Sequence, residues 1–187
     1  MRRLILLALG CLTVAGRMSA ELKTRNVVLV TLDGVRWQEV FRGPDDALIN
    51  QETGGVTDVM LAGLRATYGS KPPAERRRLM MPFLWEEVAA HGQLYGNRDQ
   101  GSPMRVTNAV RMSYPGYNEL LTGVADPAIA NNVRRPNSNV TVLEWLNGRP
   151  AWAGRVVPLA AWNTFASILN VERSHLPLWL TNQPPAP

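Results

Sequence analysis

Cysteine is almost absent: Cys11 is the single one among 187 residues, and it lies in the apolar stretch that opens the chain. If that stretch is a removed leader, the remaining chain has no disulfide, no thiol nucleophile and no thiolate metal site. Histidine is nearly as scarce, with only His91 and His175, so a serine nucleophile has few candidate bases. Long hydrophobic runs are also missing. The run from Leu4 to Gly16 is too short for a comfortable membrane span. Charged residues make up 19% against 45% hydrophobic, a balance that belongs to a globular chain and not a disordered one. The length allows one domain with a sizeable core.

The opening "MRRLILLALGCLTVAGRMSA" has two arginines, an apolar run and then small residues, which is the order of a secretory signal. Cleavage is expected after Ala20, and a retained anchor is the alternative. Cys11 is a poor lipidation site, because the residues before it match the usual order badly. Arg2, Arg3 and Arg17 leave with the segment and no acid does, so the formal charge falls from +5 to +2. That small excess gives no case for binding a nucleic acid duplex. Export without disulfides predicts a periplasmic or secreted protein.

"NVVLVTL", residues 26–32, is a continuous β-branched run that predicts a strand buried on both faces of a parallel sheet. Residues 42–80 read as an excursion beside that sheet, with a short helix near "DVMLAGLRATY". The Arg76-Arg77-Arg78 run reads as a solvated face, with contact to an anionic substrate as the alternative. "MPFLWEEVAAHG" predicts a helix presenting Leu84, Trp85, Val88 and Ala89 on one face, with Gly92 at its end. "GQLYGN" and "MRVTNAV" predict short strands. "YNELLTG" predicts a helix ended by Gly123, and "NVTVLEWLNG" another, capped by Asn139 or Thr141. "GRVVPLAAW" predicts a strand and "TFASILN" a further helix. Alternating strands and helices give an α/β class, with a mainly parallel sheet flanked by helices on both faces.

Two positions carry potential chemistry. Asp33 follows the predicted strand, at the carboxyl edge where α/β proteins place their sites. Its carboxylate suits a cation, although an Asp-Gly turn also explains it. Ser113 precedes Tyr114-Pro115-Gly116 at a helix start. It is either a simple cap or a nucleophile, which would need a base or a metal to activate it. His91 reads as a surface or capping residue and His175 as incidental.

"NVVLVTLDGVRWQEVF", followed about 80 residues later by "SYPGYNELLTG", resembles the alkaline phosphatase superfamily, in its phosphodiesterase and nucleotide pyrophosphatase branch. The resemblance runs from about residue 26 to about residue 172. It implies that Asp33 is a metal ligand, and that Ser113 is the transiently phosphorylated nucleophile and also touches a metal. It implies that Asn132 binds the phosphoryl oxygen of the substrate, with the adjacent Asn131 as the other candidate. The implied cofactor is a pair of divalent ions, zinc foremost and manganese or magnesium as alternatives. Such ions, about 4 Å apart, neutralise charge on the transferring group.

The family completes its metal site with further Asp and His residues, for which no recognisable match follows Ser113. The chain is therefore expected to be the N-terminal part of one alkaline-phosphatase-like catalytic domain, residues 21–187, with an incomplete metal site and little turnover. The leading expectation is a hydrolase of phosphate mono- or diesters acting through a phosphorylated serine. A noncatalytic periplasmic module that binds an anion or a partner is the alternative. A sulfatase lacks its Cys-x-Pro-x-Arg setting here, and a serine hydrolase lacks Gly-x-Ser-x-Gly.

Overall fold

The computed structural model describes residues 24–181. The expected signal at residues 1–20 and the Pro-rich end beyond 181 lie outside the described residues. The chain divides into two compact units, Met1–Leu32 and Asp33–Pro187.

In the first unit, residues 24–32 form no strand and are exposed throughout. Val27 and Val28 leave 86% and 83% of their surface in water. The buried strand expected at 26–32 is thus not formed. A strand exists only through its ladder, and among the described residues the one sheet pairs two other segments.

The regular elements of the second unit are mostly helices. Its first half carries α1 (Trp37–Arg42), α2 (Asp58–Tyr68) and α3 (Pro73–Met80). A π-helical turn, Leu84–Val88, then runs on into Ala89–His91 before Gly92. Phe41 is buried and meets the Trp85 ring edge-on at 5.9 Å. The Trp85 indole N–H donates to the carbonyl of Val40 at 3.0 Å, so this aromatic has both its apolar body and its polar tip satisfied.

The arginine run does not form a solvated face. Arg76 is buried and donates to both Asp46 carboxylate oxygens and to the Pro44 carbonyl. Arg77 lies 3.8 Å over the Trp85 ring. Only Arg78 keeps the expected exposure. Gly43 makes this packing possible. It has φ +79°, and a Cβ there would lie 2.6 Å from that of Arg76.

The second half holds α4 (Ser113–Thr122), α5 (Val142–Asn147), β1 (Leu159–Ala160), α6 (Phe165–Ile168), α7 (Val171–Ser174) and β2 (Trp179–Leu180). β1 and β2 pair in parallel, Leu159 with Trp179 and Ala160 with Leu180. This small sheet keeps a mixed helix-and-strand class, but a large parallel sheet is not seen among the described residues. The short strands expected in "GQLYGN" and "MRVTNAV" are likewise not formed. Tyr114, Leu121, Ile168, Leu169 and Leu176 make the core, with Tyr117 and Phe165 edge-on at 4.7 Å beside it.

Polar groups thread that core. Asn118, on α4, is fully buried, and its Oδ1 accepts from the side-chain amides of Asn137 and Asn139, each at 3.1 Å. Asn137 also donates to the Ile168 carbonyl, and Asn139 to Asp126. Arg173 grips the Asn137, Ser138 and Asn139 carbonyls while paired with Glu144. Replacing Asn118 with alanine removes the shared acceptor of the buried Asn137 amide and the half-buried Asn139 amide, leaving each with one acceptor instead of two. Urea titration of Asn118→Ala is expected to show a loss of about 2 kcal/mol or more. An unchanged midpoint would remove Asn118 from its structural role.

Candidate functional site

Ser113 is the first residue of α4, and its amide follows the extended Met112. Pro115 fits the first turn because helix N–H groups there lack intrahelical partners. Gly123, with φ +77°, ends the helix in the left-handed conformation. The helix expected at 117–123 therefore begins earlier, at the serine itself.

Asn132 meets this helix start. Its Oδ1 accepts from the Tyr114 N–H at 2.9 Å. That leaves its Nδ2 hydrogens as donors with no partner among the described residues. Asn131 instead accepts from the Val133 N–H, at 3.0 Å, in a local turn. The Tyr114 ring is buried, and its hydroxyl donates to the Arg135 carbonyl at 2.7 Å. Burial pushes the Tyr114 phenol up. One residue thus ties the helix start to the 132–135 segment twice.

This arrangement narrows what the helix N-terminus offers. A bare first turn would present several free N–H groups to an anion. Here the Tyr114 N–H is taken by Asn132, Pro115 has none, and the Gly116 N–H donates to the Met112 carbonyl at 3.1 Å. The Ser113 N–H and the Asn132 amide are what remain. Arg111 and Arg134 stand two residues from Ser113 and Asn132, both exposed. Neither forms an ion pair among the described residues, so the surroundings favour an anionic ligand.

Asp33 is exposed at a turn with Gly34, whose φ is +73°. Among the described residues no hydrogen bond joins Asp33 to Ser113 or Asn132. No group of three or more His, Cys, Asp or Glu among them is arranged to hold a metal ion. A zinc site takes three or four protein ligands, and Asp33 with Ser113 supplies two donors. The residues described do not by themselves fit the two-ion centre that the resemblance implies. His91 is exposed, its Nδ1 3.0 Å from the Glu87 carbonyl oxygen. His175 is exposed with φ +50°, after α7. Neither histidine has a hydrogen bond to Ser113.

Sequence reasoning missed Glu119, six residues along α4 from Ser113. Its carboxylate accepts from the N–H and hydroxyl of Thr107, at 2.5 and 2.8 Å, and from the N–H and side-chain amide of Asn108, at 3.0 and 2.6 Å. The Thr107 N–H foremost, then the Asn108 amide groups, hold the carboxyl down to about 2. The only sequence signal is a Thr-Asn pair upstream of an acidic residue, and nothing local predicts their meeting.

No family model, curated protein or solved structure matches the chain, so the case for a function rests on these residues. Among the described residues no helix is long and apolar enough to cross a membrane.

Asn132→Ala removes a side-chain cap from the Tyr114 N–H, and denaturation is expected to show a loss of about 1 kcal/mol. An unchanged stability would mean that the contact holds nothing. Glu119 gives a pH dependence. Its folded value lies below its unfolded one, so its contribution is full above the ordinary glutamate range and is lost as pH falls toward about 2. Urea midpoints of the parent should drop between about pH 5 and pH 2.5. Glu119→Gln should drop less steeply, because the Glu119 titration is gone, and should still drop, because Glu39, Asp46, Asp99 and Asp126 also have lowered values. Parallel curves would contradict the role of Glu119.

Proposed function

We propose that this chain carries the nucleophile-bearing part of an exported phosphate-ester hydrolase, with Ser113 as the phosphoryl acceptor. The observation that carries the proposal is the Asn132–Tyr114 hydrogen bond. It brings an amide with donors to spare against the residue next to Ser113, where a transferring phosphoryl group would need one. The two arginines on the flanking segments, Arg111 and Arg134, form no ion pair among the described residues and suit an anionic ester.

In the proposed step, Ser113 Oγ forms a bond to phosphorus as the bond to the leaving oxygen breaks. The serine proton passes to solvent, and water later attacks the phosphoserine, releasing phosphate from a monoester substrate or a phosphate monoester from a diester, and restores the hydroxyl. Substrates are phosphate mono- or diesters. A divalent ion, zinc foremost, belongs to the proposal with Asp33 and Ser113 as this chain's ligands. No step is derived through it, because these donors alone do not complete a metal centre. A larger alkaline-phosphatase-like parallel sheet, and a periplasmic or secreted location, belong to the same proposal.

The test incubates the full chain with p-nitrophenyl phosphate or its bis ester, with zinc or manganese added. Acid quench and peptide mass spectrometry follow. The expected result is slow turnover with a phosphoryl label on the peptide holding Ser113, and no label in Ser113→Ala. An unlabelled parent chain with both esters overturns the proposal. Fast turnover that vanishes in Ser113→Ala would keep the serine and overturn the incomplete site.

A further inference from the structure

The carboxylate of Glu119 is spent entirely on one segment. Its four contacts come from two consecutive residues, Thr107 and Asn108, through both backbone N–H groups and both side chains. Glu119 is in α4, the helix that Ser113 opens. The chain between Asn108 and Glu119 is therefore a closed ring that contains Ser113 near its middle. Inside it, the Met112 N–H donates to the Val110 carbonyl at 3.0 Å, and the Met112 carbonyl accepts the first helical bond from the Gly116 N–H. The helical residue before Glu119, Asn118, anchors α4 in the core. Segment 107–112 has no strand or helix of its own to hold it. Its path into Ser113 is set at one end by the helix and at the other by Glu119.

We infer that Glu119 is a positioning residue for Ser113: by clamping Thr107 and Asn108 it fixes the backbone approach to the serine and hence where Oγ stands. This rests on the proposed phosphoryl transfer only for its consequence in rate, since the clamp itself is geometric. A carboxylate suits the task because it accepts from four donors and brings none that would oppose them. Nucleophile placement is worth a large factor, since an error of about 1 Å costs on the order of a hundredfold.

The experiment compares the parent chain with Glu119→Ala and Glu119→Gln by amide hydrogen exchange and by the rate of phosphoryl labelling. Glu119→Ala is expected to speed exchange at Gly116, and to slow labelling of Ser113, each by about tenfold or more. Exchange within Val142–Asn147 should stay unchanged. Glu119→Gln keeps an acceptor for one residue of the pair, so it should recover part of both effects. If Glu119→Ala leaves Gly116 exchange and labelling as in the parent, the inference is overturned. If the parent itself takes no label, the phosphoryl reading fails while Gly116 exchange still decides the clamp. If Glu119→Ala does not fold, Glu119→Gln decides: parental exchange and labelling overturn the inference, and intermediate values support it.

Discussion

The second half of the structure depends on one side-chain oxygen, Asn118 Oδ1, which accepts two amides inside an apolar core. A buried carbonyl without partners is costly, and one with two good donors is rigid. That oxygen joins α4 to the segment carrying Asn137 and Asn139. Asn137 extends the joint to α6 through Ile168, and Arg173 closes over the outside from α7. Everything near Ser113 inherits its position from this joint, because α4 cannot roll without breaking it. Leu121 and Tyr114, also on α4, then fill the surrounding core.

Ser113 is placed by contacts on three sides of its helix. Asn132 meets the first turn from the following segment, Glu119 fixes the preceding one, and the Tyr114 ring seats the start in the core. Each contact uses a group that the serine does not need, so its hydroxyl is left without a partner among the described residues. A helix start with spare N–H groups would have offered a general anion site. This one is reduced by a proline and an asparagine to few donors, which makes it more selective about where a charged oxygen can lie.

Much of this was legible where local physics decides. Gly92, Gly123 and Thr141 mark helix ends in the sequence, and the structure ends or caps helices there. The half-buried face of Leu84, Trp85 and Val88 follows from helical spacing. The rest was not legible, because it depends on meetings across long stretches of chain. Arg76 looks like a surface residue until Asp46, thirty residues earlier, is brought beside it. The asparagines of "NNVRRPNSN" look like a loop until Asn118 is found beneath them. Glu119 looks like an ordinary exposed acid on a helix. The run at 26–32 fails the other way: its local pattern is as clear as any in the chain, but a strand requires neighbours that the pattern cannot supply. The roles implied for Asp33, Ser113 and Asn132 came from resemblance, and of the three side chains the structure gives a hydrogen bond only to Asn132, which holds the Tyr114 N–H next to Ser113.

The bare valines and leucines of residues 27–32 have a practical consequence. A short, uncharged, proline-free segment of valines, leucines and a threonine held in water is the kind of stretch that holdase chaperones grip and that nucleates precipitation. The yield and colloidal behaviour of this polypeptide during expression will follow that stretch more closely than they follow the well-packed helices, and a lysine introduced at Val28 is the first remedy for an insoluble preparation.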